Sequence, residues 1–451
     1  MIEGPLLLFI FILAVAFIII STSIIKLHPF LSLLIASFGI GLAVKMPLDQ
    51  IVQTINQGFG QIMIYIGLVI VLGTIIGTIL DKSGGALKIA DVILKMFGKK
   101  RPAFAMSLIG AIVSIPVFCD SGFVILSSLN KAISKRSNIS LTTLTIALSS
   151  GLYATHTLVP PTPGPIAAAG NIGASDFLGT IIWIGLITSI PAILVGYKWA
   201  QYIGKKVFID SSEKLDDLSE VLKDNNNLPS AIKSFGPIVL PIFLIAQASS
   251  IKLLGTGGSF SNILIFIGSP LVALMIGTLF AFMLLPKFSG EYITGWIGKG
   301  ISLAGPILLI TGAGGAFGSI LKATPLTRLV EGTASSGNYS GMIIIIVAFL
   351  IAAALKISQG SSTAALVITS SIIAPFLVSA NIDSSIGLAL VVMAIGGGAM
   401  TISHANDSYF WVVTQFSGLK VGDSYKSFSV VTLLQGVTVL ITTILLYQVL
   451  L

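Results

Sequence analysis

The sequence predicts an all-α membrane protein that crosses the bilayer many times. Hydrophobic residues make up 55% of the 451 residues and charged residues only 9%, whereas soluble domains carry about 25% charged residues. A spanning helix needs roughly 20 consecutive apolar residues. Four runs approach or reach that length, at Pro5–Ile25, Leu27–Val44, Ile62–Leu80 and Val430–Leu450. Their length and the scarcity of charge exclude a soluble fold.

The positive charge of the chain indicates topology rather than nucleic-acid binding. The formal net charge is +8, and basic residues of membrane proteins concentrate in cytoplasmic loops. Here they cluster in Lys82–Arg101, Lys131–Arg136 and Lys205–Lys233. We therefore expect these three segments to be cytoplasmic, and we expect no nucleic-acid partner. The lone Cys119 excludes an internal disulfide.

One apolar segment, residues 102–129, separates the first two basic clusters and is long enough to cross the membrane once. If both of its ends are cytoplasmic, the segment must enter the membrane and return. Such a re-entrant hairpin needs a tip that breaks the helix, and Pro116 and Gly122 suit that position. The alternative is a normal crossing whose basic flanks are coincidental.

The chain also divides into two similar halves. The segments that begin at Gln50 and Glu291 share an amphipathic stretch followed by a glycine-spaced apolar helix. The polar linker 205–233 separates them, which predicts two repeats, 1–204 and 234–451. Five crossings and one hairpin in each half would invert the second repeat, as in many secondary transporters. About ten crossings with a cytoplasmic linker would place both termini outside.

Each repeat is predicted to hold one hairpin and one broken helix. We expect re-entrant hairpins at 102–129 and 341–379, and broken helices at 142–170 and 386–415. In the first broken helix, residues 155–165 read THTLVPPTPGP, and these prolines prevent a continuous helix. Irregular backbone survives in a membrane only where it is buried in protein or lines a wet cavity. These four segments therefore predict a substrate site at the membrane midplane.

The few ionisable residues in the predicted spans coincide with these four segments. They are Asp120, His156, Lys356, His404 and Asp407. Ionisable groups inside a membrane segment are costly, and they usually face a cavity or a partner. Their position in or beside the helix breaks is the strongest indication of a site in this sequence.

Each ionisable group allows more than one role. Lys356 could bind an anionic substrate, or it could form a salt bridge with Asp120 or Asp407 that only holds the hairpins. Asp120 could carry a coupling proton, since burial favours the neutral form of a carboxyl, or it could remain an ionised partner of a cation. His156 and His404 could relay protons or serve as hydrogen-bonded structural side chains.

Polar residues around the breaks complete the predicted site. Helix N-termini there would direct free N–H groups at a carboxylate, while Asn406 and Asp407 suit a polyol or an Asx turn. Proton coupling is assigned to Asp120, His156 and Asp407. Substrate binding is assigned to Ser121, Gly122, Thr155, His156, Thr162, Lys356, Gln359, Gly360, Ser361, Ser362, Thr363, His404, Asn406 and Asp407.

The sequence predicts no enzyme, cofactor or metal site. It lacks the G-x-S-x-G, H-E-x-x-H, P-loop and paired C-x-x-C motifs. The glycine run Gly312–Gly318 follows no predicted strand, so close packing of helices explains it better than a nucleotide loop. Two other classes stay open: a passive anion channel, and a membrane-embedded enzyme with Asp120 and His156 as its reactive pair.

Four motifs resemble the gluconate permease family of proton-coupled carboxylate symporters. They are IPVFCDSGFVIL from Ile115, THTLVPPTPGP from Thr155, QGSSTAA from Gln359 and SHANDSYFW from Ser403. The resemblance covers nearly the whole chain. It implies import of gluconate or related sugar acids, and in some members D-serine, across the cytoplasmic membrane of a prokaryote. Similarity to transporters with opposed hairpins also implies a homodimer with alternating access.

Three positions depart from the pattern that this resemblance implies. The family usually has histidine at the position of Thr162, an aromatic residue at Cys119 and arginine at Lys356. Lysine presents a point charge in place of a bidentate fork. A smaller and less basic pocket leaves a shorter hydroxy acid or a D-amino acid such as D-serine open beside gluconate, and sodium coupling open beside proton coupling.

Overall fold

The ordered elements are helices throughout the part of the chain that the computed structural model describes, and no strand forms there. That part comprises residues 5–98, 101–209, 228–254, 258–287, 289–325 and 340–451. The predicted all-α fold is confirmed. Helices suit a bilayer because each one satisfies its own backbone hydrogen bonds without water.

The described residues of the first half form ten α-helices. In chain order they are α1 (Pro5–Ser23), α2 (Pro29–Ala43), α3 (Leu48–Ile62), α4 (Leu68–Lys82), α5 (Gly85–Ile93), α6 (Pro102–Val113), α7 (Cys119–Ser137), α8 (Leu141–Leu158), α9 (Pro163–Asn171) and α10 (Leu178–Lys206). A π-helical turn at Met63–Gly67 joins α3 to α4, so the two form one helix of 35 residues.

The second half begins after the linker and contains a long helix of 33 residues, Gly290–Lys322. Its described helices are α11 (Ala231–Leu254), α12 (Ser259–Ile267), α13 (Pro270–Ala281), α14 (Gly290–Lys322), α15 (Ser340–Gln359), α16 (Ser362–Ile373), α17 (Ser385–Met400), α18 (Ser408–Ser417), α19 (Val421–Ser424) and α20 (Val430–Leu450). A π-helical turn joins α19 to α20. Of the predicted linker, residues 210–227 lie outside the described residues.

Several helices are long and apolar enough to cross a membrane. Six qualify within the described residues, and the pair α12 and α13, bent by 61°, would make a seventh. The six are Leu48–Lys82, Ser175–Lys206, Ala231–Ile251, Tyr292–Lys322, Gly341–Gln359 and Val421–Leu450. The chain is therefore a multi-pass membrane protein, as its composition predicts.

The perimeter and the centre of the molecule differ sharply in burial. Large apolar side chains such as Phe9, Phe243 and Leu445 are exposed on outer helices, which is the surface that lipid covers. By contrast, every residue of α8 and α9 is buried, and so is nearly all of α17. The two broken helices therefore form the centre, and outer helices enclose them.

The long helix α3–α4 and the long helix α14 run in opposite directions. Gly58 of α3 lies against Ser319, near the end of α14, whereas Ile75 of α4 lies against Gly300, nearer its start. Glycine at these contacts allows the two backbones to approach closely. The centre joins the two halves in a similar way, because α8 packs on α17 and α9 packs on α16.

Candidate functional site

Four non-helical segments interrupt helices near the centre of the molecule. Segment 114–118 separates α6 from α7, and segment 159–162 separates α8 from α9. In the second half, segment 360–361 separates α15 from α16, and segment 401–407 separates α17 from α18. Their free backbone groups and polar side chains form the candidate site.

A buried ion pair holds the second-half segments together. The Lys356 ammonium, with its side chain 1% exposed, lies 2.6 Å from the Asp407 carboxylate. It also donates a hydrogen bond to the carbonyl oxygen of Gly360 at 2.8 Å. Asp407 further accepts hydrogen bonds from the Ser403 hydroxyl and, at 3.0 Å, from the backbone N–H of Tyr409. Of the alternatives open for Lys356, the structure contains the salt bridge with Asp407.

Side chains of the 401–407 segment also cap the end of α15. The Asn406 amide donates to the carbonyl oxygen of Ile357 at 2.8 Å, and the His404 Nε2 atom lies 2.7 Å from the same oxygen. Gly360 adopts a φ of 81°, and a Cβ there would collide with the carbonyl oxygen of Asn406. Only glycine permits this approach without strain, so segment 360–361 and the second helix break fit closely together.

Asp120 connects the first half to this network. It lies in the first turn of α7, and its Oδ2 atom accepts a hydrogen bond from the Ser408 hydroxyl at 3.4 Å. Ser408 directly follows Asp407, so carboxyl groups from the two halves come close to each other and to Lys356. The Oδ1 atom of Asp120 is buried and has no hydrogen-bond partner among the described residues.

The predicted residues of the first broken helix are all buried. The ring of His156, which is 6% exposed, lies 5.8 Å from the ring of Phe118, and its Nδ1 atom has no partner among the described residues. Thr155 donates to the carbonyl oxygen of Ala111 at 2.8 Å. Thr162 donates to that of Val159 at 2.6 Å, which uses its hydroxyl within the break.

The remaining predicted residues lie beside segments 360–361 and 114–118. Ser361 accepts from the N–H of Ala364 at 3.2 Å and caps α16, while Ser362 and Thr363 are half-buried in its first turn. Gln359 is half-buried at the end of α15, and its Nε2 atom lacks a partner in the described part of the chain. Beyond segment 114–118, Ser121 is half-buried, and Gly122 packs on Leu152.

Sequence reasoning missed Tyr153 and Ser408. The Lys356 ammonium lies 5.6 Å from the centre of the Tyr153 ring, and the Tyr153 hydroxyl donates to the carbonyl oxygen of Ala399 at 3.5 Å. Tyr153 precedes His156 by three residues, so both lie on one helix face. That spacing could have identified Tyr153. Ser408 carries no comparable signal beyond its position next to Asp407.

The many apolar spans and the buried ionic site between broken helices define a multi-pass transport protein. No group of three or more His, Cys, Asp or Glu side chains that could hold a metal ion occurs among the described residues. The sequence matches the GntP family permease description over residues 6–450, and the chain belongs to that family. The predicted family is thus confirmed.

Sequence similarity to named permeases extends over almost the whole chain. Gluconate permease of Pseudomonas aeruginosa is 31% identical over 430 residues, with 94% of each chain covered. Inner membrane permease YgbN of Escherichia coli is 33% identical over 426 residues, with 92% of each chain covered. Both relatives are permeases, so this chain is a transporter and not an enzyme.

A solved structure shares the fold. The YdaH transporter of Alcanivorax borkumensis superposes with a TM-score of 0.62, covering 94% of this chain and 98% of that chain. The sequence identity is 15%. At that level the similarity establishes the architecture of the helices and carries no information on the substrate.

Proposed function

We propose that this protein imports a small polar carboxylate by proton symport, with gluconate or a related sugar acid as the first candidate. Two lines of support are the names of its relatives, gluconate permease and low-affinity gluconate transporter, and the chemistry of the buried site. A shorter hydroxy acid or a D-amino acid such as D-serine would use the same groups.

One observation carries this proposal. Each of the four segments around the breaks holds one buried polar atom without a partner among the described residues: Asp120 Oδ1, His156 Nδ1, Gln359 Nε2 and Asn406 Oδ1. An unpaired buried polar group costs about 1–3 kcal/mol. A ligand with several hydroxyl groups and a carboxylate offers donors and acceptors to all four atoms. The site is therefore suited to a polyhydroxy acid.

The charge of the site favours coupling to a cation. Lys356 is neutralised by Asp407, so an ionised Asp120 would leave one negative charge in excess. A substrate carboxylate would add a second negative charge in a region from which water is largely excluded, which is strongly unfavourable. A proton on Asp120 removes the excess and allows the substrate to bind. Asp407 and His156 are the further candidates for proton coupling.

Lys356 retains a donor for the substrate. An ammonium group has three N–H donors, and Asp407 and Gly360 account for two of them. The third can meet the substrate carboxylate, together with N–H groups in the first turn of α16. Lys356 would then both hold the second break and bind the anion.

Import through a central site also requires a defined orientation of the two halves in the membrane. We propose that 1–204 and 234–451 form inverted repeats, which the opposed directions of α3–α4 and α14 support. The linker 205–233 would be cytoplasmic and both termini outside, in agreement with the position of the basic residues. A homodimer and alternating access with the site at the midplane complete the proposal.

Uptake into proteoliposomes tests the proposed coupling. Labelled gluconate, short hydroxy acids and D-serine are supplied outside, with an inward proton gradient of one pH unit. One proton per substrate gives about tenfold accumulation, which a passive channel cannot produce. We expect Asp120→Asn to lose accumulation and to keep exchange of labelled for unlabelled substrate, while Asp383→Asn, which removes an exposed carboxylate, behaves like wild type.

Two results would contradict this proposal. Full proton-driven accumulation by Asp120→Asn would remove the role assigned to that carboxyl. Accumulation that depends on an imposed sodium gradient and not on the proton gradient would show that the coupling ion is sodium.

A further inference from the structure

A second polar cavity lies apart from the central site. Its volume is about 230 Å³, and helices α3–α4, α9 and α14 enclose it. It shares Gly58, Gln61, Ser319 and Lys322 with a wider groove of about 570 Å³. None of the residues assigned to the central site lines either space.

The cavity has the chemistry of an anion site. Lys322 is exposed at its rim, and no carboxylate lies within ion-pair distance of this lysine among the described residues. The described side chains that line the cavity include no Asp or Glu. Gln61 and Ser319 add neutral donors and acceptors, so a carboxylate would find a cation and hydrogen-bonding groups without a repelling charge.

Asn171 supplies an acceptor for a hydroxyl group. It is 7% exposed, and its Nδ2 atom donates to the carbonyl oxygen of Val367 at 3.0 Å and to the Ser371 hydroxyl at 2.9 Å. These bonds orient the amide and tie α9 to α16. The Oδ1 atom is left buried without a partner among the described residues, and Asn171 lines the cavity.

Helix α9 connects this cavity to the central site. It begins after the break at Thr162 and ends at Asn171, so at 1.5 Å per residue about 12 Å of helix separates the two. The lining residues of α3–α4, from Gly58 to Tyr65, lie in the half of this helix that begins at Leu48 and not in the half that ends at Lys82. In the proposed topology the Leu48 end faces the outside.

We propose that this cavity is an outer binding site for the transported hydroxy acid, occupied before the substrate reaches the central site. The carboxylate binds beside Lys322, and a substrate hydroxyl donates to Oδ1 of Asn171. The proposal rests on the proposed function and orientation, since an imported anion must arrive from this side. A phospholipid headgroup offers a similar anionic group, and liposomes with and without an anionic phospholipid distinguish the two ligands.

Transport kinetics test the role of the charge. In phosphatidylcholine liposomes at low ionic strength, we expect Lys322→Gln to raise KM for external gluconate about fivefold, as for an exposed charge pair, with kcat unchanged. High salt should shrink this difference, because it screens exposed charges. Lys299→Gln removes an exposed lysine of the same helix outside the cavity and should leave KM unchanged.

A second variant fills the cavity without altering charge. A Cβ at Gly318 meets only the carbonyl oxygen of Ser371, at 3.5 Å, so Gly318→Val places its methyl groups in the cavity. We expect a raised KM that does not depend on salt. Gly305→Val serves as the matched control, since a Cβ on that glycine of the same helix meets nothing within 4 Å.

Binding stoichiometry separates this proposal from the proposed function. Equilibrium dialysis of labelled gluconate against solubilised protein should give two sites per chain for wild type, and in Lys322→Gln one of the two should bind about fivefold more weakly. Transport with a single site in wild type overturns the outer site alone, whereas absence of both binding and accumulation overturns both proposals. A KM change in Lys322→Gln that requires phosphatidylglycerol in the liposomes assigns the cavity to a lipid headgroup and also overturns the outer site.

Discussion

The two helix breaks at the centre of the molecule are built by different chemistry. The break at 159–162 is fully buried and contains Pro160 and Pro161, and Thr162 satisfies a carbonyl within the break itself. The break at 401–407 is partly exposed and depends on the buried ion pair between Lys356 and Asp407.

This difference indicates a division of labour between the halves. Proline has no backbone N–H donor and its ring restricts φ. The first break therefore needs few hydrogen-bond partners from other helices, and we expect its backbone to be rigid. The second break relies on the Lys356 side chain of α15 and on its own Asn406 side chain, which donates to a carbonyl oxygen of α15. Such contacts can respond to a bound anion or proton. We therefore expect substitutions in the second half to have larger effects.

The largest effect is expected at Lys356. Lys356→Met leaves Asp407 buried and uncompensated, which typically costs about 3–5 kcal/mol. Thermal unfolding in detergent measures the loss. Lys95→Met is the control, because the Lys95 side chain is 72% exposed in its ion pair with Asp91 and exposed pairs contribute about 1 kcal/mol or less.

A double variant keeps this prediction testable if Lys356→Met does not fold. Lys356→Met with Asp407→Asn removes both charges, and asparagine still caps α18, so stability should largely return. Equal losses in the single and double variants would show that the ion pair does not hold the second break.

An intermediate effect is expected at Gly360. Alanine in a left-handed conformation costs about 1–2 kcal/mol, and at Gly360 the new Cβ also collides with Asn406. Gly418→Ala is the matched control, since Gly418 has a φ of 71° and a Cβ there meets nothing within 4 Å. Gly360→Ala should therefore lower both the melting temperature and uptake more than Gly418→Ala. Equal effects would mean that segment 360–361 and the second break are not closely coupled.

The smallest effect is expected at Thr162 in the first break. Thr162→Val removes the hydrogen bond to Val159, which contributes about 1 kcal/mol, whereas Thr162→Ser keeps it. Melting temperatures of the two variants measure this difference. Their relative uptake of gluconate and D-serine also tests the predicted contact with substrate, because an equal ratio in both variants would remove Thr162 from the substrate site.

The sequence alone was sufficient for the class of protein. Its apolar runs and low charge predicted an all-α multi-pass fold, since a bilayer tolerates few other spanning structures. Its motifs around Asp120, His156, Gly360 and Asp407 predicted a transporter of the gluconate permease family. These signals are local in the chain, so no three-dimensional information was needed to detect them.

The partners of the site residues were decided by the tertiary structure. From the sequence, the partner of Lys356 could be Asp120, Asp407 or a substrate. Only the packing of α15 against the 401–407 segment brings its ammonium to Asp407. The sequence also did not predict the cavity beside Lys322, or that Oδ1 of Asn171 is buried without a hydrogen-bond partner among the described residues. Such pairings join residues far apart in sequence, and their energies depend on distance and burial, which composition and spacing do not specify.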